Sequence, residues 1–236
     1  MARKVKEEDY ATRRKEILDA AQALIYTKGY EQMSIQDILD SLKISKGAFY
    51  YYFDSKQTLL DGLVERMLDQ AELVMRPIVD ATDMSALEKL RRYLDTGGRW
   101  KLSQKAFMLN LLRVWRADAN ALVRLKQETE GMKRIAPMLT QIIRQGMEEG
   151  VFTTQYPEQF GAMIVGLSRG VEEAISELLL SEIPPPDALQ RLEEIIGAYS
   201  ESFERILGAP PGSLPLGDTE MMRAWLEEPV VVETTR

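Results

Sequence analysis

The sequence contains no cysteine and no histidine. Without cysteine there is no disulfide, no thiol nucleophile and no thiolate ligand for a metal. Without histidine the commonest general base, the usual imidazole ligand and every Ser-His or Cys-His pairing are gone. Long apolar runs are missing as well, so no segment is expected to span a bilayer and no membrane partner is expected. The opening MARKVKEEDY has no apolar stretch behind its basic residues, which argues against a secretory signal, and the absence of cysteine fits a cytoplasmic chain. Glycine-rich phosphate loops do not occur. The adjacent acids Glu148-Glu149, Glu172-Glu173 and Glu193-Glu194 diverge around a helix instead of converging on a substrate. No metal, no cofactor and no catalytic residue is therefore expected, and an enzyme is the less favoured class.

Charge is unevenly spread. The net charge of −7 belongs mainly to the later part of the chain. Residues 1–60 hold ten Lys and Arg against nine Asp and Glu, and the remainder holds 20 against 28. Within residues 1–15 six basic side chains face three acidic ones. A basic arm on a near-neutral first module can engage an anionic polymer although the body is acidic, because phosphate contacts are local. Charge alone would not point to nucleic acid.

What the sequence does have is helical periodicity throughout, and the fold class it predicts is all-α. Ile17, Leu18, Ala21, Leu24 and Ile25 share one helix face, which Gly29 ends. Ser34 opens a second, short helix, with Asp37 placed to complete a capping box. A turn at Lys43-Ile44-Ser45 leads to a third helix from about Lys46 to Phe53. After Asp54-Ser55, a fourth carries Leu59, Leu60, Leu63, Val64, Met67, Leu68 and Ala71 as far as Pro77. Further helices are expected over about Ser85–Asp95 and Trp100–Trp115, separated by Gly97-Gly98. Another follows over about Ala119–Met147, where Pro137 should kink or split it, then one from Pro157 to about Leu180 and one from Pro186 to Leu207. The stretch 208–217 reads as a linker by its Pro and Gly content, with one short helix near Glu220–Glu227.

Two short helices joined by a tight turn are the helix-turn-helix, whose second helix lies in the DNA major groove. The segment from Ser34 to Phe53 meets its demands. Ile38, Leu42, Ile44 and Phe49 can form the small core that sets the interhelical angle. Ser45 can cap the second helix, and Lys46, Gly47 and Ala48 then stand at its leading end. Small residues there permit close approach, while Lys46 can reach a base edge or a phosphate. Tyr50, Tyr51 and Tyr52 are consecutive, so at least one phenol must face outward; Phe49 and Phe53 suit the core.

The order from Thr12 to Lys56 resembles the DNA-binding domain of the tetracycline-repressor (TetR) family. The resemblance is carried by Lys28-Gly29-Tyr30, by Met33-Ser34-Ile35-Gln36-Asp37-Ile38 and by the run from Ile44 to Lys56. Leu39 and Lys43 depart from it, standing where alanine and glycine are usual. Lysine in a left-handed turn costs about 1 kcal/mol relative to glycine, so a slightly altered turn is expected. The resemblance implies phosphate contacts for Ser34 and Lys56 and a base or backbone contact for Gln36. It implies groove contacts for Lys46 and Ala48, and phosphate or groove contacts for Tyr50, Tyr51 and Tyr52.

It further implies a three-helix DNA-binding domain followed by a larger helical ligand-binding and dimerisation domain. The expected division is 1–56 for the arm and helix-turn-helix, 57–207 for the effector and dimer domain (57–76 as connecting helix), and 208–236 for linker and tail. Phe160, Ile164, Leu167, Val171 and Ile175 form one apolar stripe, and Ile196, Tyr199 and Phe203 a second. Both are candidates for a two-fold four-helix interface or for the chain's own core. Trp100, Phe107, Asn110, Arg113, Trp115 and Gln141 are candidate pocket residues for an unidentified small-molecule effector. The expected partners are double-stranded DNA bearing an inverted repeat, a second copy of the chain, and that effector. A ligand-independent helical DNA-binding protein and a small-molecule-processing enzyme are the rival readings.

Overall fold

Ten helices account for the regular structure of the protein, a computed structural model that describes residues 2–116, 121–154, 156–181 and 184–227. They are α1 (Ala2–Gln32, interrupted at Gly29 with φ 78° and ψ 160°), α2 (Ile35–Leu42), α3 (Lys46–Tyr50), α4 (Lys56–Asp80), α5 (Ala86–Ser103), α6 (Lys105–Arg116), α7 (Ala121–Glu148), α8 (Pro157–Leu179), α9 (Ala188–Leu207) and α10 (Thr219–Leu226). No strand occurs among the described residues. Ala119, the expected start of the seventh helix, and residues 228–236 of the tail lie outside them.

The chain forms two compact units, Met1–Leu68 with Ala106–Gln127, and Asp69–Lys105 with Glu128–Arg236. In the first, Ile17, Leu18, Ala21 and Ile25 of α1 meet Ile38 and Leu39 of α2, Phe49 and Phe53, and Leu59, Leu60, Leu63 and Val64 of α4. Phe107, Leu111 and Val114 of α6 join the same core. Full burial of one such side chain stabilises by about 1.5–3 kcal/mol. The unit is tied at its edge by Arg66 of α4, which donates to Asp19 (2.6 Å) and to the Leu18 carbonyl (3.2 Å). Contacts divide the chain within α4, which contributes to both units, and α6 belongs with the first.

The second unit has its own core. Met75 and Val79 end α4, Leu90 and Tyr93 come from α5, and Met138, Leu139, Ile142 and Ile143 from α7. Ile164 of α8 and Phe203 and Leu207 of α9 complete it. Gly161 of α8 lies so close to α7 that an added Cβ would stand 2.3 Å from the Ala136 carbonyl oxygen and 2.2 Å from Thr140 Oγ1.

Three expectations change here. Gly97-Gly98 does not separate two helices, because α5 runs through both and the break falls at Gln104 (φ −107°, ψ 19°). Their missing side chains instead admit Met75 and Met221, whose Cε and Sδ atoms lie 3.6 and 3.1 Å from the positions of added Cβ atoms. Pro137 does not divide α7, which is continuous from Ala121 to Glu148. The stretch 208–217 is no free linker: Leu214 is fully buried, and the Gly212 and Leu214 amides both donate to the buried Glu204 carboxylate at 2.9 Å. Leu216 N–H donates to Ser200 Oγ (3.1 Å), so the strand of chain is strapped along α9 before α10 begins.

Candidate DNA interface

Local sequence explains the geometry of the reading unit. Ser34 is the N-cap of α2: its hydroxyl accepts from Asp37 N–H (3.2 Å), while Asp37 accepts from Ser34 N–H (2.7 Å). Lys28 adds an ion pair to the same carboxylate at 2.7 Å. These donors, Lys28 foremost and then Ser34, hold the Asp37 carboxyl well below the usual carboxylate range. At the other end of α2, Lys43 closes the helix in the left-handed conformation (φ 53°, ψ 43°). Lysine thus takes the left-handed conformation for which glycine is usual. Ile44 N–H reaches back to the Leu39 carbonyl (3.1 Å), satisfying a terminal acceptor of α2.

Ser45 then caps α3 by accepting from Ala48 N–H at 3.2 Å. The helix is shorter than its expected span, ending at Tyr50. The Tyr52 and Phe53 amides turn back to the Phe49 carbonyl at 2.9 and 3.1 Å. Phe49 and Phe53 are buried, as their spacing predicts, and fix the other side chains relative to the core. Lys46 and Gly47 are exposed, and a Cβ added at Gly47 would meet only Ser45 Oγ, at 3.9 Å. Ala48 is half-buried. The leading end of α3 therefore offers a bare, approachable surface with one ammonium group, which lies 5.9 Å from the Tyr50 ring.

The three tyrosines separate by exposure. Tyr50 is 39% exposed, Tyr51 71%, and Tyr52 is half-buried. Tyr10 of α1, which the sequence reading did not single out, closes against them, with its ring 5.7 Å from Tyr51 and 4.8 Å from Tyr52. A signal for it existed: Tyr10 lies seven residues before Ile17, on the continuation of the same helix face.

Gln36 is exposed and donates to Asp40 at 2.7 Å. Lys56 is more committed than a free surface lysine. Its ammonium sits 4.3 Å from the Tyr30 ring centre and donates to the Glu31 carbonyl (3.1 Å), while Tyr30 OH donates to the Lys56 carbonyl (3.3 Å). Partial burial lowers the Lys56 pKa, and burial, with Glu31 and Asp61 nearby, pushes the Tyr30 phenol up to about 12. Serine 55 and Thr58 start α4 reciprocally, Ser55 N–H donating to Thr58 Oγ1 (3.0 Å) and Thr58 N–H to Ser55 Oγ (3.1 Å). All ten candidate DNA-contacting residues lie in the first unit.

The candidate pocket residues do not share one unit. Phe107, Asn110, Arg113 and Trp115 belong to the first, Trp100 and Gln141 to the second. Phe107 is core beside Tyr26 (6.4 Å), Asn110 donates to the Ala106 carbonyl (2.9 Å), and Arg113 and Gln141 are exposed. Trp100 and Trp115 are half-buried. Among the candidate dimer residues, Ile164 and Phe203 are fully buried in the chain's own core, and Val171 is buried too. Those three face inward. Phe160 and Leu167 lean on that core, Ile175 and Ile196 on a smaller cluster with Leu178 and Leu192, and Tyr199 covers Gly170. Met163, Gly166 and Ala174 on α8 and Gly197 and Ala198 on α9 are exposed, beside exposed charged residues such as Arg169, Glu173 and Glu194.

Comparison with known proteins gives this geometry its family. Residues 17–63 match the model of bacterial regulatory proteins of the tetR family, and residues 111–173 match a tetracyclin repressor-like C-terminal domain. The HTH-type transcriptional repressor KstR2 of Mycobacterium tuberculosis is 30% identical over 146 residues, 60% of this chain and 70% of that protein. An HTH-type transcriptional regulator of Lactococcus lactis is 38% identical over 82 residues, which are 35% of this chain and 42% of that protein. In fold, the chain is similar to the crystal structure of a TetR-family transcriptional regulator from Pectobacterium atrosepticum. That likeness has a TM-score of 0.64 at 20% identity, over 86% of this chain and 98% of that one. The capped α2 and α3 thus occupy the stretch matched by the family's DNA-binding model, and the chain belongs to the TetR family of helix-turn-helix transcriptional regulators.

Proposed function

We propose that the protein is a homodimeric repressor that binds an inverted-repeat operator and releases it when a small-molecule effector binds the second unit. The observation that carries this is the leading end of α3. A serine cap, an exposed Lys46, an open Gly47 and two exposed phenols are held on a buried Phe49–Phe53 base. Lys46 and Ala48 read the major groove, Ser34, Ser45 and Gly47 allow backbone approach to phosphates, and Tyr50, Tyr51 and Tyr52 donate hydroxyls to phosphate oxygens. Gln36 and Lys56 flank this surface. The repressor sense is supported by the KstR2 relative, which carries that name.

Two reading helices must meet grooves roughly 34–36 Å apart, which calls for two copies of the chain. The outward faces of α8 and α9 suit that role, because a Cβ added at Gly166 or Gly197 meets nothing within 4 Å in its own chain. Two helices from each copy then pack as a four-helix interface, with Phe160, Leu167, Ile175, Ile196 and Tyr199 beside the contact. The link from effector to DNA is α4, whose residues contribute to both units. Only an effector that favours the non-binding conformation releases DNA. The setting of this function is the cytoplasm, where the DNA is; no helix among the described residues is long and apolar enough to cross a membrane.

Selection of bound duplexes from a random pool, followed by salt titration of the winner, tests the reading. An inverted repeat whose affinity falls steeply with salt is expected. Failure to enrich any duplex, with or without a library of candidate effectors, would rule it out.

A further inference from the structure

Tyr51 presents a physical problem that the helix-turn-helix itself does not solve. It follows the last residue of α3, its side chain is 71% exposed, and its hydroxyl makes no hydrogen bond among the described residues. Only its backbone is held, by its amide donating to the Gly47 carbonyl at 3.2 Å. A phenol so placed would be free to change rotamer, and ordering it on contact with DNA would weaken binding. In the folded chain it is not free. Tyr52 stands edge-on to it (5.0 Å, 90°), and Tyr10 closes the opposite arrangement edge-on (5.7 Å, 74°). Tyr10 also tilts against Tyr52 (4.8 Å, 38°), so the three rings form a closed triangle.

Tyr10 comes from another helix, 41 positions upstream of Tyr51 in sequence. It is itself 39% exposed and makes no hydrogen bond among the described residues, so the ring contacts are its visible role. They join the N-terminal stretch of α1 to the reading helix.

We propose that Tyr10 is a positioning residue of the operator interface: it holds the Tyr51 phenol, directly and together with Tyr52, in the orientation that meets DNA. The proposal rests on the operator reading above. The role is carried by the ring, not by the Tyr10 hydroxyl.

The test is a set of full-length variants, Tyr10→Ala, Tyr10→Phe, Tyr51→Ala and the Tyr10→Ala/Tyr51→Ala pair, measured against the operator duplex recovered from selection. Tyr10→Ala should weaken binding about 10-fold, the scale of an aromatic pair, and equally for all duplex sequences. Tyr10→Phe should stay within about two-fold of wild type, since phenylalanine keeps the ring contacts. In the Tyr51→Ala background, Tyr10→Ala should cost clearly less than in wild type, the remainder reflecting its packing on Tyr52. In the DNA-free protein, the ring resonances of Tyr51 should shift in Tyr10→Ala and hold in Tyr10→Phe, a readout that a loss of overall stability would not produce. Wild-type affinity in Tyr10→Ala, or a loss that persists undiminished without Tyr51, overturns the assignment and leaves the operator reading standing. A wild-type chain that binds no duplex, while Tyr51 still shifts in Tyr10→Ala, overturns the operator reading and with it the role of Tyr10 there.

Discussion

Lys43 alone among the described non-glycine residues has a positive φ, and it does so at the turn between the two helices of the reading unit. The left-handed conformation costs a lysine about 1 kcal/mol, part of which glycine would return through its greater freedom when unfolded. Lys43→Gly should therefore raise stability by about 0.5 kcal/mol, read as a higher urea midpoint at unchanged slope; a lower midpoint would mean that the lysine side chain is itself holding the turn. Asp37 works in the opposite direction. Its folded pKa lies below its unfolded value, so its contribution is complete above about pH 4 and lost as pH falls through the folded value. Asp37→Asn should be less stable than wild type at neutral pH, and the gap should close on acidification. Circular dichroism melts at pH 7 and pH 3 measure this, and a gap that stays constant would sink it. Lys46 and Tyr50 separate two kinds of contact at the same site. Lys46→Ala should relax base preference, whereas Tyr50→Phe should weaken all duplexes alike. Competition binding with single-base operator variants distinguishes them, and identical behaviour would place Lys46 on phosphate instead.

At the scale of elements, helix contacts decide what the glycines are for. Gly97 lies inside α5 with its nearest neighbour, Met75 Cε, at ordinary contact distance (3.6 Å) from an added Cβ. Gly97→Ala should thus stabilise the protein by up to about 1 kcal/mol, the helix propensity difference. Gly161→Ala should do the reverse, by about 1–3 kcal/mol, since its Cβ would press on the backbone of α7 and force the helices apart. Denaturant titrations of the two variants should move in opposite directions; movement in the same direction would contradict the packing described. Gly97-Gly98 shows why sequence misreads such sites. A glycine pair looks like punctuation, and only the arrival of Met75 and Met221 from other elements makes it a contact surface. The same holds for 208–217, whose Pro and Gly content suggests a linker until Glu204 accepts two of its amides.

For the whole molecule, membership of the TetR family makes the protein a DNA-binding regulator and not an enzyme. The proposed assembly can be tested without knowing operator or effector. Gly166 has open space around it in its own chain, so Gly166→Arg should fold normally. If α8 and α9 form the dimer face, that variant should sediment as a monomer and lose operator binding. A dimer of unchanged stability would move the interface elsewhere.

The sequence by itself determined the all-α class, both caps of the helix-turn-helix, the inward Phe49 and Phe53 and the exposed leading end of α3. These follow from residues a few positions apart, where side-chain spacing and backbone capping suffice. The tertiary structure alone decided which unit α6 joins, that Ile164 and Phe203 face their own core, that Lys56 is spent on Tyr30 and Glu31, and that Tyr10 meets Tyr51. Each of those depends on which helix packs against which, and periodicity identifies an apolar face without saying what covers it.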